Sequence, residues 1–198
     1  DRSRRALLRG VEKADSWATD GHKWLNVPYD SGIVIVREPS HLSAAITKSA
    51  AYLIRSENAA RDNHDFTPES SRRARGFAIW AAIRSLGRSG IGSMVSHCSD
   101  LAVRMADRLR AGGVTILNDV VLNQVLVRFT PARGRDADAF TRAVVARIQG
   151  GGVLWASGTK RHGADALRIS VSNWSTTEAD IDRSADAILD AVRAEDRS

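Results

Sequence analysis

The feature that most constrains the fold of this 198-residue chain is the stretch Ala14-Asp15-Ser16-Trp17-Ala18-Thr19-Asp20-Gly21-His22-Lys23-Trp24-Leu25. It is followed by Asn26-Val27-Pro28-Tyr29-Asp30-Ser31-Gly32 and the apolar run Ile33-Val34-Ile35-Val36. That run, stopped by Glu38-Pro39, reads as a strand buried on both faces. A lysine on the turn ahead of such a strand has its origin fixed by a rigid element. Lysine alone says little, because the chain holds 29 Lys and Arg residues and most lysines are solvated. The order of the signals is what is unusual: an acid and a serine, a small-residue turn, His-Lys-Trp, a Pro-Tyr-Asp turn, then the strand.

Composition bounds the possibilities. With 43% hydrophobic and 26% charged residues, the chain is an ordinary globular sequence, long enough to bury a core in one or two domains. The net charge of +6 and the Arg72-Arg73-Ala74-Arg75 cluster invite a nucleic-acid reading. The cations are scattered among 23 acidic residues, however, without interleaved aromatics to stack bases, so no nucleic-acid partner is expected. A basic surface can instead steer an anionic cofactor or substrate. Cys98 is the single cysteine, which excludes an intrachain disulfide and suggests a reducing, cytoplasmic compartment. No apolar run approaches the length of a membrane span, and Asp1-Arg2-Ser3-Arg4-Arg5 lacks the apolar core of a secretory signal. No membrane partner is expected, and no residue is assigned to a metal.

Residues 40–69 lose clear periodicity up to Pro68, as functional or mobile segments do. Within them lies Tyr52, which on residues alone reads as an amphipathic tyrosine at a domain edge. A helix follows, capped by Ser70 or Ser71, with Phe77 to Ile83 apolar nearly all round, as in a buried helix. The arginines ahead of it either hydrogen-bond carboxylates or backbone at a subunit interface, or form a solvated first turn. Gly87 to Gly92 separate this helix from one over 93–111, whose stripe Met94, Cys98, Leu101, Ala102, Met105 and Leu109 makes Cys98 a packing residue. Gly112-Gly113 is its stop.

Beyond it the periodicity changes. A short strand at 114–117, alternation through Val125, Val127 and Phe129, a helix at about 136–149 and two further strands follow. The second of these sets Leu167, Ile169 and Val171 against Arg168, Ser170 and Ser172. A last helix, capped by Thr176, carries Ile181, Ala185, Ile188, Leu189 and Val192 on one face. Strand, strand, helix, twice over, describes a small α+β domain with helices on one side of a sheet.

His22-Lys23-Trp24-Leu25, between Asp15-Ser16 and Pro28-Tyr29-Asp30, resembles the lysine segment of the group II pyridoxal-phosphate-dependent decarboxylases, the family of the aromatic amino acid and glutamate decarboxylases. The Pro-x-x-x-Arg-Arg-x-Arg segment from Pro68 to Arg75 is similar to a second family motif. Tyr52, in a Tyr-Leu pair 52 − 23 = 29 residues after the lysine, matches the position of the family's catalytic tyrosine. The fold class implied is α/β. Residues 1–111 would be the C-terminal part of a fold-type I cofactor-binding large domain, and 112–198 a small C-terminal α+β domain.

The resemblance implies pyridoxal 5'-phosphate as cofactor, Lys23 as the amine that holds its aldehyde, and His22 as a contact to its phosphate. Tyr52 would be the acid that protonates the substrate's α-carbon after carbon dioxide leaves. Because the tyrosine loop reaches a neighbouring subunit's site in this family, a homodimer is implied. Arg168 resembles the arginine that binds a substrate carboxylate in aminotransferases of the same fold, and alternation leaves open whether it faces a cleft or water. Asp20 stands where the family often has a small polar or amide residue, and no phosphate role is carried to it.

The reaction implied is decarboxylation of an L-amino acid to its amine. The acid for the pyridine nitrogen, the ring-stacking residue and the main phosphate loop would lie upstream of residue 1. The resemblance therefore covers nearly the whole chain but about the C-terminal half of a family member, and the chain alone is expected to be inactive. Two other readings stand beside this one: an aminotransferase or carbon–carbon lyase of the same fold, and a non-catalytic dimerisation remnant.

Overall fold

A computed structural model of the chain describes residues 3–47, 62–69 and 71–198. Its contacts divide it into two compact units, Arg2–Gly87 and Arg88–Ser198, where the sequence suggested a boundary at 111. The helix α3 (Arg75–Ala111) contributes to both, and its backbone leaves helical geometry at Gly87, with φ 62° and ψ −176°. The expected break over 87–92 thus contracts to one residue. Gly90 and Gly92 remain helical because a glycine inside a helix costs only about 1 kcal/mol relative to alanine and does not forbid the conformation.

In the C-terminal unit, β3 (Thr115–Ile116), β4 (Gln124–Arg128), β5 (Ser157–Arg161) and β6 (Ala164–Ser170) form an antiparallel sheet in the order β3-β4-β6-β5. The expected alternation sets the register: Val125 opposes Ile169 and Val127 opposes Leu167. These four are buried with Phe129, against Phe140, Val144 and Ile148 of α4 (Ala137–Gly151) and Ile181, Ala185 and Ile188 of α5 (Glu178–Arg197). Leu101, Met105 and Leu109 of α3 complete the core, and Cys98 is buried beside them on the same stripe.

The cap of α5 is Thr177 and not the expected Thr176. Thr177 Oγ1 accepts from Asp180 N–H (3.2 Å) and Asp180 Oδ2 accepts from Thr177 N–H (3.0 Å), so the acid three residues on decides which threonine caps. Arg104 and Arg108, one turn apart, reach Asp182 and Asp186, also one turn apart. Arg104 is bidentate on Asp182 at 2.9 and 2.7 Å, and Arg108 meets Asp186 at 2.6 Å.

In the Arg2–Gly87 unit, β1 (Ser16–Asp20) and β2 (Gly32–Val36) pair antiparallel, Ser16 opposite Val36 and Asp20 opposite Gly32. Between them lies the single turn α1 (Gly21–Trp24), and α2 (Pro39–Ile46) follows. The expectation that residues 33–36 are buried on both faces does not hold, since Val34 is 53% and Ile35 43% exposed. The cause is that β1 is the only strand paired with β2 among the described residues, and a two-stranded ribbon leaves both faces open.

The first turns of α3 differ in the same way: Phe77 and Trp80, expected inside, are exposed. This helix begins at Arg75, four residues after Ser71, which is therefore not its cap. The sequence reading anticipated neither β1 nor α2.

Candidate functional site

The lysine sits where β1 hands over to β2 through α1, and each residue of the connection has a physical reason. Gly21 is buried, and a Cβ there would come within 3.2 Å of Val27 Cγ2, 3.3 Å of the Ser31 carbonyl oxygen and 3.4 Å of Ile79 Cγ1. Its N–H donates to the Ser31 carbonyl at 2.7 Å, tying the start of α1 to the residue that precedes β2. Asn26 adopts φ 53°, and its side-chain amide donates to the carbonyls of Lys23 (3.3 Å) and Trp24 (3.2 Å). An asparagine tolerates this left-handed geometry while satisfying carbonyls that the short helix leaves open. Val27 then closes over Gly21 as a buried side chain.

His22 is held on two sides. Ser31 N–H lies 3.0 Å from Nδ1, and the Tyr29 ring stands against the imidazole with centroids 4.1 Å apart. The Ser31 carbonyl, 3.1 Å from the same nitrogen, already accepts from Gly21. A backbone N–H can only donate, so the Ser31 contact assigns Nδ1 as acceptor and the ring proton to Nε2. Lys23 projects from the next position with its side chain 63% exposed, and its Nζ donates to Asp20 Oδ2. Asp20 Oδ1 is also 4.0 Å from His22 Nε2. The Lys23 hydrogen bond holds the Asp20 carboxyl below its usual range, with the charge of Lys23 adding to the effect.

The arginines of the second motif reach back to this connection. Arg75 sets Nε on Asp30 Oδ1 at 2.8 Å and a terminal nitrogen on Asp30 Oδ2 at 3.0 Å, while Arg73 donates to the Tyr29 carbonyl. Of the two roles open to them, Arg73 and Arg75 take carboxylate and backbone partners, within their own unit. The Arg75 fork lowers the Asp30 pKa to about 2.

The structure brings together His22 and Lys23 of the expected site. Tyr52 lies outside the described residues. Arg168 belongs to the other unit, exposed on β6 between Leu126 of β4 and Ser157 of β5. Asp20, Asn26 and Ser31 were not anticipated as site residues. The i, i+3 spacing of Asp20 and Lys23 was the one readable sign for the first, whereas Ser31 acts through its backbone.

The description "pyridoxal-dependent decarboxylase conserved domain" belongs to the family model that matches residues 2–130. The chain is a member of the pyridoxal-dependent decarboxylase family. It is 28% identical over 181 residues to an aromatic-L-amino-acid decarboxylase of Bacillus atrophaeus, covering 87% of this chain and 38% of that protein. It is 27% identical over 199 residues to an L-2,4-diaminobutyrate decarboxylase of Rhizobium meliloti, covering 96% and 39%.

Among solved structures, Oryza sativa TDC with PLP and tryptamine superposes with a TM-score of 0.88 at 22% identity, over 98% of this chain and 41% of that one. Catharanthus roseus tryptophan decarboxylase in complex with L-tryptophan gives 0.83 at 22%, over 96% and 41%. The α/β fold is therefore the one the family resemblance implied, and the chain spans about two fifths of the length of these relatives.

The donor set of this decarboxylase-family chain fits two ends of a pyridoxal phosphate. Lys23 offers a primary amine on a fixed turn, of the type that captures an aldehyde. The neighbouring His22 carries an Nε2–H donor of the type that meets a phosphate oxygen. No described helix is long and apolar enough to cross a membrane.

Proposed function

We propose that this chain is the lysine-bearing C-terminal part of a pyridoxal-phosphate-dependent decarboxylase that converts an L-amino acid to its amine. The observation that carries the reading is the pinned turn in which His22 and Lys23 stand side by side, His22 oriented by Ser31 and Tyr29. Named relatives act, by their descriptions, on aromatic amino acids and on L-2,4-diaminobutyrate, which supports an amino acid as the substrate class.

When bound, the cofactor supplies an electron sink for the pair left at the substrate's α-carbon. Lys23 would hold the cofactor aldehyde through its amine. A neutral amine is the nucleophile, so the proton shared with Asp20 must leave before Lys23 acts. His22 would donate its Nε2–H to the phosphate. Tyr52 would deliver a proton to the α-carbon, and Arg168 would meet a substrate carboxylate.

The same reading makes the protein a homodimer, residues 1–111 part of its cofactor-binding domain and 112–198 its small domain. It also places the protein in the reducing cytoplasm, in keeping with a single buried cysteine.

The test uses the longer protein that contains this chain, treated with pyridoxal phosphate and borohydride, with the modified peptide mapped by mass. Label at Lys23 is expected, together with loss of both label and amine product in Lys23→Ala. Amine output that survives Lys23→Ala would overturn the reading.

A further inference from the structure

The turn Tyr29-Asp30-Ser31 touches the lysine segment at three points. Ser31 N–H meets His22 Nδ1 at 3.0 Å, the Ser31 carbonyl accepts from Gly21 at 2.7 Å, and the Tyr29 ring lies 4.1 Å from the His22 ring. Tyr29 and Asp30 are themselves exposed and belong to no helix or strand, so burial does not fix them. Their restraint comes from residues more than 40 positions later. Arg75 grips both oxygens of Asp30, and Arg73 holds the Tyr29 carbonyl and stands 3.5 Å from Asp30 Oδ1. Arg75 is the more enclosed partner, 23% exposed against 68% for Asp30, and its far nitrogen lies 3.8 Å from Glu69. A planar guanidinium with two bonds fixes the rotation of a carboxylate as well as its distance, which a lysine ammonium does not do.

We propose that Arg75 is a positioning residue for phosphate binding: through Asp30 it fixes the 29–31 turn, and through that turn it sets the direction of the His22 Nε2–H. This rests on the reading of Lys23 and His22 as cofactor ligands. Arg75 never meets the cofactor. Its effect is carried by Ser31 and Tyr29, the two residues that hold the imidazole. Asp30 keeps its charge down to about pH 2, so the grip persists across the neutral range. Because Asp30 is already exposed, removing its partner returns it to water at little cost to folding, and the consequence concentrates on the orientation of His22.

The experiment compares two aldehydes on the apo form of the longer protein: pyridoxal phosphate, and pyridoxal, which lacks the phosphate. Affinity is read from the cofactor absorbance and from borohydride trapping at Lys23. Arg75→Lys should weaken pyridoxal phosphate roughly tenfold, the order lost when the partner that orients a metal ligand is removed. Pyridoxal capture should change less than about twofold, which also reports that the lysine turn is intact in the variant.

Asp30→Asn should shift the ratio in the same direction, and Arg75→Lys added to His22→Ala should cause no further loss. An equal loss for both aldehydes, an unchanged ratio, or full additivity with His22→Ala would overturn the positioning role while leaving Lys23 as the cofactor lysine. Absence of any trapping at Lys23 in the unaltered protein would overturn the underlying reading itself.

Discussion

In the C-terminal unit Phe129, Phe140, Met105, Leu109, Leu167 and Ile188 are closed off from solvent. In the Arg2–Gly87 unit the described residues that are buried are Gly21, Val27 and Ser31, all on the lysine connection. The first unit is held by apolar area taken out of water, the second by a polar turn bonded through Ser31, Asn26, Arg73 and Arg75. Stability and site geometry are thus supplied by different chemistry in different parts of the chain. Among the described residues, the lysine turn is held by paired backbone groups and by a glycine that admits the close approach.

The sharpest way to break this contrast is to truncate one aromatic in each unit. Phe140→Ala should cost about 3–5 kcal/mol in denaturant unfolding of the C-terminal unit. Phe77→Ala, on an exposed side chain, should stay within about 0.5 kcal/mol in the same chain. Equal costs would mean that Phe77 is inside in solution. Next, Gly21→Ala forces a methyl against Val27, the Ser31 carbonyl and Ile79, and should cost about 1–3 kcal/mol. Its companion readout is reduced aldehyde capture at Lys23, because Ser31 must retreat. Full capture in that variant would separate the turn's packing from the lysine's placement.

Smaller effects sharpen the side of the comparison that apolar burial governs. Thr177→Ala should remove about 1 kcal/mol with the α5 cap, visible as a lowered urea midpoint, while Thr176→Ala should leave it nearly unchanged. Smallest should be the loss of the Arg104–Asp182 pair. The Arg104 hydrogen bond lowers the Asp182 pKa, so its contribution is complete above the ordinary carboxylate range and fades as pH falls through the lowered native value. Unfolding followed from neutral to acid pH should lose this contribution in the unaltered chain and show none to lose in Arg104→Ala, and high salt should mute it at neutral pH.

These regions also differ in how much of them could be read from residues. Alternation at Val125, Val127, Leu167 and Ile169 gave the sheet, because one buried face imposes a period of two. The stripe from Met94 to Leu109 gave the helix interior for the same kind of reason. The Arg2–Gly87 unit was harder. Ser16–Asp20 is a strand without an apolar pattern, and the apolar runs at 33–36 and 77–83 read as buried, whereas Val34, Ile35, Phe77, Trp80 and Ile83 are exposed. Hydropathy records what a residue would prefer, not whether a partner is at hand.

At the candidate site, the place of His22 and Lys23 on a turn ahead of a strand was legible from their motif. Asp20's contact with the amine, the Ser31 backbone on the imidazole and the Arg75 grip on Asp30 were not. Backbone donors carry no side-chain signature, and a bond across some 45 positions has no local pattern.

The chain's single cysteine lies inside the C-terminal unit, with Cys98 1% exposed and its thiol pushed up by burial. A thiol reagent added to the native chain therefore finds nothing to react with until that interior opens. Its rate becomes a clock for the opening of the interior around α3, with no dye or added tag. One further cysteine placed on the open β1–β2 ribbon would react at once, giving two readings from a single sample: how accessible the lysine-bearing unit is, and how seldom its neighbour lets solvent in.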